Sequence, residues 1–227
     1  MVATETRAIT GVQTLPERRV VLHDVSWETY EQLLADQAGK RVPHLNYIEG
    51  ALEIVSPTQE HEQANVVLAW IVEILAEEWS IDFSSVASMT FKRAALKRGF
   101  EADSSYYFQN EARVRHKKID PDVDPPPDLV IEIDVTDDSM NKLPLYVAFR
   151  VPEVWRFVDG RVEIRIFRNG SYVNVGESLA LPVLTSDDLT RLVAEAQTRT
   201  VLAWRRHVRD WARSRRRATG PASDPSL

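Results

Sequence analysis

The sequence predicts a mixed fold, α/β or α+β, in which helices flank a sheet. Three observations predict it. Strand-like runs of period two are interleaved with helical runs of period 3.6 along the chain. Two tight-turn dipeptides, Asp159-Gly160 and Asn169-Gly170, separate β-rich segments late in the chain. One apolar strand, Leu129 to Val135, is entered through a loop from Asp120 to Asp128 whose prolines exclude helix and central strand.

The elements follow in order. Residues 1–19 read as a flexible leader, 20–217 as one folded domain and 218–227 as a flexible tail. Val20 to Val25 reads as a short strand. Ser26 is placed to cap a helix over Trp27 to Gln37. Leu45 to Val55 reads as a hairpin turning at Glu49-Gly50. His61 to Trp79 is a helix, because Ala64, Val67, Leu68, Ile71, Leu75 and Trp79 form one apolar stripe. Ile81 to Arg93 is extended with a break near Ala87-Ser88, and Phe100 to Gln109 reads as one strand. Ser139 to Phe149 reads as a helix with Pro144 near its start. Val154 to Val175 is a meander. Ser186 caps a helix over Asp187 to Gln197, and a last helix runs from Thr200 to about Arg215.

Composition excludes several classes. With 44% hydrophobic and 27% charged residues, the chain is neither disordered, collagen-like nor a coiled coil. The absence of cysteine removes disulfides, thiolate metal sites and cysteine nucleophiles, and fits a reducing cytosol. No apolar run approaches the ~18–20 residues that span a bilayer, and the N-terminus lacks a signal core. A cytoplasmic protein with no membrane partner is expected. The net charge of −6 is unevenly spread. Between Arg199 and Arg217 eight arginines face one acid, Asp210, a local +7. The remaining 20 basic and 33 acidic residues give −13. A nucleic-acid enzyme is compatible with that total, because the local field decides.

The strand Leu129–Val135 carries the chemistry. Leu129, Ile131, Ile133 and Val135 point one way, and Val130, Glu132 and Asp134 the other. Two carboxylates at i and i+2 then share a face, roughly 7 Å apart. Such a pair is costly when buried unless a cation sits between, and all-oxygen ligands suit Mg²⁺. The same alternation also suits the solvent face of an edge strand. The strand's apolar density and its entry through the proline loop argue for a central one. If the strand holding Glu101-Ala102-Asp103 lies alongside, Asp103 can join Glu132 at one ion. Lys142 can point back from the next helix at a phosphate, or be an ordinary surface lysine.

These residues resemble the Uma-type restriction endonuclease family, relatives of the PD-(D/E)XK nuclease superfamily. The likeness covers roughly residues 20 to 215. It is carried by Trp27-Glu28-Thr29-Tyr30, by Ile54-Val55-Ser56-Pro57 with His61-Glu62, by Thr90-Phe91-Lys92-Arg93 and by Gly99-Phe100-Glu101-Ala102-Asp103. It continues through Pro126-Pro127-Asp128-Leu129-Val130-Ile131-Glu132-Ile133-Asp134, Asn141-Lys142-Leu143-Pro144-Leu145-Tyr146 and Val151-Pro152-Glu153-Val154-Trp155. The resemblance implies a restriction-endonuclease-like core of α-β-β-β-α-β order, with an N-terminal hairpin and C-terminal helices. It implies a Mg²⁺-dependent DNA endonuclease, with Mn²⁺ as a substitute. Asp103, Glu132 and the Ile133 carbonyl would be the metal ligands, with Asp134 as a second ligand or general base. Two departures stand out. Ala102 replaces the usual Pro before the motif Asp, and Asp134 replaces the usual Lys two residues after Glu132. Lys142 is the candidate to supply that missing charge.

His61 is a further candidate, although a His at a helix start also serves local packing. Lys92 belongs to a basic run, Lys92, Arg93, Lys97 and Arg98, that either contacts DNA phosphates or is a solvated loop. The five histidines lack zinc-ligand spacing. In the last helix Trp204 and Trp211 recur at i and i+7, which favours a packed helix over a DNA-binding arm. A homodimer is expected, since two copies conveniently cut two strands. The competing reading is a nuclease-fold nucleic-acid-binding or structural partner protein without turnover.

Overall fold

The computed structural model describes residues 18–37, 40, 42–134 and 141–218, with side chains through 215. The leader and tail anticipated at the ends fall almost wholly outside these residues. Arg18 and Arg19 are already paired in a strand, so the folded part begins before residue 20.

In chain order, β1 (Arg18–Leu22) precedes α1 (Trp27–Asp36). Ser26 caps α1, its hydroxyl accepting from the Thr29 amide at 3.0 Å. β2 (His44–Ile48) and β3 (Ala51–Ser56) form the hairpin, with Glu49 and Gly50 both at positive φ. α2 (Gln59–Trp79) begins two residues earlier than its apolar stripe suggests, because Thr58 is its cap. β4 (Ser84–Ser85) and β5 (Thr90–Arg93) flank Ala87, which has a positive φ at the expected break. Then come β6 (Arg98–Glu101), β7 (Ser104–Tyr107) and a one-turn α3 (Glu111–Val114). β8 (Leu129–Asp134) is followed by α4 (Leu143–Phe149), with Lys142 at its N-cap and Pro144 in its first turn. Val135 and residues 136–140 lie outside the described residues. β9 (Glu153–Val158), β10 (Arg161–Arg168) and β11 (Ser171–Val175) are the meander. α5 (Ser186–Ala196) and α6 (Val201–Ala218) complete the chain. The cap of α5 is Thr185 rather than Ser186, since the Thr185 hydroxyl accepts from the Asp188 amide at 3.1 Å.

Two sheets result. The first has the order β1-β3-β2-β6-β5, all antiparallel. The second has the order β11-β10-β9-β8-β7-β4, antiparallel except where β8 runs parallel to β9 across α4. Within that sheet the order α2-β4-β7-β8-α4-β9 supplies the α-β-β-β-α-β core, and β8 is central. The strand anticipated over Phe100–Gln109 is in fact two. The chain leaves the first sheet after Glu101 and joins the second at Ser104, so Ala102 and Asp103 form the crossing. The run stays extended throughout, so its periodicity carries no sign of the change of partners.

One face of β8, with Leu129, Ile131 and Ile133, packs under α2, α5 and α6. Val130 on the other face joins Phe100, Tyr146 and Phe149 beneath α4. Three arginines of α6 are answered by neighbouring helices. Arg213 pairs with Glu78 at 2.8 Å, Arg209 with Glu77 at 3.3 Å and Arg215 with Asp188 at 3.2 Å. This is the packed helix that its tryptophans suggest. Among the described residues no helix is long and apolar enough to cross a membrane.

α1 lies on the first sheet through Trp27 and Tyr30, and Tyr30 stacks on Tyr47 with centroids 5.0 Å apart. Gly99 is required there by close approach. A Cβ at this position would strike the Tyr30 hydroxyl and lie 2.9 Å from its Cζ. Tyr30 is fully buried and held between Trp27 and Tyr47, so the ring has nowhere to go. Gly99→Ala is expected to destabilise the chain by about 1–3 kcal/mol, read as a lowered urea midpoint at unchanged slope.

Candidate active site

β8 is buried on both faces, so Glu132 and Asp134, following Val130, are carried into the protein. β7 pairs with β8 so that Ser104 stands opposite Ile131. The next residue along each strand is Asp103 and Glu132, which brings the two carboxylates together. The Asp103 side chain also bridges the strands, its Oδ2 accepting from the Ile133 amide at 2.8 Å. From α2, Asn65 donates to the Asp103 carbonyl at 3.1 Å and accepts from the Ser104 hydroxyl at 2.8 Å. The crossing between sheets is thus tied on both sides.

Two histidines converge on the other oxygen of Asp103. His61 Nε2, in the first turn of α2, lies 2.9 Å from Oδ1, and His44 Nδ1, from β2, lies 3.4 Å away. Burial works to raise the Asp103 pKa, but the hydrogen bonds from His44 and His61 and the charges of His61 and Lys142 outweigh it. The carboxyl is held far below its ordinary range. For His44, burial works against the charged form, and the bond and charge of Asp103 prevail, raising it.

α4 supplies the partners of Glu132. Lys142 Nζ donates to Oε2 at 2.6 Å, and the Tyr146 hydroxyl, one turn on, donates to Oε1. Burial pushes Glu132 up to about 7. Lys142 opposes that rise, while Asp103 and Asp134 add to it. Burial also disfavours the Lys142 ammonium, but Glu132, Asp103 and Glu53 together hold it above its ordinary range. Burial and the charge of Glu132 keep the Tyr146 phenol protonated far beyond its usual range. Their surroundings therefore drive the two carboxyls in opposite directions, Asp103 down and Glu132 up.

Among the anticipated residues, Asp103, Glu132, Ile133, Lys142 and His61 come together in this structure. Asp134 shares the face of Glu132, but its carboxylate takes a hydrogen bond from Arg156 on β9. Lys92 is elsewhere. It pairs with Glu31 of α1, lies over the Trp27 ring and is 40% exposed. His44 and Tyr146 are the residues that sequence reasoning missed. Tyr146 had a signal, since a helix that aims Lys142 at Glu132 aims its i+4 residue the same way. His44 had none, lying in a hairpin and reaching Asp103 through the long-range pairing of β2 with β6, the strand that runs into the crossing. Glu101 is buried nearby but serves the first sheet, accepting from the Leu45 amide at 2.7 Å and from Thr90. Among the described residues no group of three or more His, Cys, Asp or Glu side chains is already gathered as a ligand set.

Comparison with known proteins places the chain. No curated protein matches it. Among solved structures, a crystal structure described as a putative nuclease belonging to DUF820 from Anabaena variabilis ATCC 29413 is similar. It shows 17% identity and a TM-score of 0.46, over 66% of this chain and 92% of that one. The family model described as "Uma2: Putative restriction endonuclease" matches residues 27–215, and with that match across most of its length the chain belongs to this family.

Proposed function

We propose that the chain is a metal-dependent DNA endonuclease that hydrolyses phosphodiester bonds. The observation that carries the reading is the placement of Asp103, immediately before β7, beside Glu132 of β8, with the Lys142 ammonium 2.6 Å from Glu132. A divalent cation suits this donor set. Asp103, Glu132 and the Ile133 carbonyl are hard oxygen donors of the kind such a cation prefers. Those three groups would hold Mg²⁺, or Mn²⁺ in its place. Such an ion, when bound, polarises a phosphate and acidifies a water.

The chain's own residues supply the rest. His44 and His61 keep Asp103 ionised and aimed, and Tyr146 fixes Glu132. Lys142 brings positive charge to the same carboxylate, within reach of an in-line nucleophile and of the charge that develops on phosphate. Asp134 is engaged by Arg156 and is given no ligand role. Two copies related by a two-fold axis would present one such site to each strand of a duplex.

The test is cleavage of supercoiled plasmid by the full chain in Mg²⁺ and in Mn²⁺. Nicked and linear product is expected, abolished by chelator and by Glu132→Gln. A wild-type chain that binds Mn²⁺ but cuts no DNA under any condition would instead be a nuclease-fold binding protein.

A further inference from the structure

The oxygens of Glu132 are both taken by α4, and the two donors differ in kind. Tyr146 is anchored. Its ring is buried and meets Phe100 edge-on at 4.9 Å, so its hydroxyl cannot leave without breaking the core beneath α4. Lys142 is not anchored in this way. It stands at the N-cap of α4, and only its flexible four-carbon stem carries the ammonium to Glu132. The side chain is 10% exposed, so part of its length already borders solvent. Its charge is held by Glu132, Asp103 and Glu53, two of which are the proposed side-chain ligands. The ammonium therefore does the work of a cation at the place where a divalent cation would need the same oxygens. Two positive groups packed onto one buried carboxylate repel strongly.

We infer that Lys142 is the exchangeable cation of this site: its ammonium fills the acidic pocket until a divalent cation takes the position, then swings outward while Tyr146 keeps Glu132 in place. The inference rests on the nuclease reading and deepens it, because the displaced ammonium is delivered to the mouth of the site, where substrate phosphate arrives. Lys142 then sets cation affinity as well as serving the reaction, and binding of metal and presentation of lysine become one event.

The direct test uses the wild-type full chain. Lysines are acetylated with an amine-reactive ester, with and without Mg²⁺, and read by mass spectrometry. Lys142 labelling is expected to rise about fivefold in Mg²⁺, while the exposed Lys92 does not change. In parallel, Mn²⁺ affinity is measured by electron paramagnetic resonance. Lys142→Met is expected to bind Mn²⁺ at least about tenfold more tightly, Glu132→Gln at least about tenfold more weakly, and Tyr146→Phe severalfold more weakly. Labelling that stays flat while the wild type binds Mn²⁺ and Glu132→Gln does not would overturn the exchange and leave the metal site standing. Failure of both wild type and Lys142→Met to bind Mn²⁺ would overturn the exchange and the metal-site reading together. If Lys142→Met does not fold, the wild-type labelling decides alone.

Discussion

Asp103→Ala is expected to lower metal-dependent DNA cleavage by at least about 10³-fold, with the fold retained. The loss is large because Asp103 stands at the centre of the proposed site. Glu132 already shares its oxygens with Lys142 and Tyr146, so it cannot hold a divalent cation alone. Removing Asp103 also strips His44 and His61 of their common partner and leaves the Ile133 amide without its acceptor in the core. An orphaned buried donor of that kind costs about 1–3 kcal/mol, so the variant should melt lower and still fold. Asp103→Asn separates the two effects, since its amide oxygen still accepts from Ile133 while the negative charge is gone. It should regain much of the stability and none of the cleavage. The measurements are plasmid cleavage rates and thermal melts on both variants. Near-wild-type cleavage by either one would remove Asp103 from the chemistry.

Trp204→Ala has the largest expected effect on stability, about 3–5 kcal/mol. Trp204 is almost fully buried between α6, α5 and α2. Its indole Nε1 donates to the Leu192 carbonyl at 2.8 Å, and its ring lies 6.2 Å from that of Trp70. Truncation leaves a cavity under α6 and removes the indole's bond to the Leu192 carbonyl. Urea denaturation reads the loss. Cleavage measured at low temperature should be close to that of the wild type, because α6 packs on the face of β8 opposite Glu132. A loss under 1 kcal/mol would mean that α6 is far less tightly docked than its contacts imply.

Much of the fold was legible because its elements carry local signals. The alternation of Leu129 to Asp134 announced a strand, its apolar density and proline-loop entry a central one, and Asp159-Gly160 and Asn169-Gly170 announced the meander. The meeting of Asp103 with Glu132 could be read only as a condition on the two strands lying alongside, since no local pattern links residues 29 positions apart, and the return of Lys142 depended on how the next helix packs. Lys92 stands apart from these residues in the structure. Its strand, β5, is at the outer edge of the first sheet, and Glu31 claims it. The arginines after residue 199 look in sequence like a nucleic-acid arm, but several are answered by Glu77, Glu78 and Asp188 on neighbouring helices. A charge count cannot see such pairings because they are tertiary.

The crossing at Ala102-Asp103 has a consequence for how the protein ages, heats and mutates. Asp103 belongs to neither sheet alone. It takes one histidine from β2 in the first sheet, one from α2, and one amide from β8 in the second. The carboxylate proposed to hold the cation is therefore a joint between two bodies, and any slip of one against the other should be registered there first. Damage far away in the first sheet, such as a tightened contact at Gly99, should appear as weakened cation binding before it appears as unfolding. The site acts as a gauge of whether the two halves of the protein are properly mated.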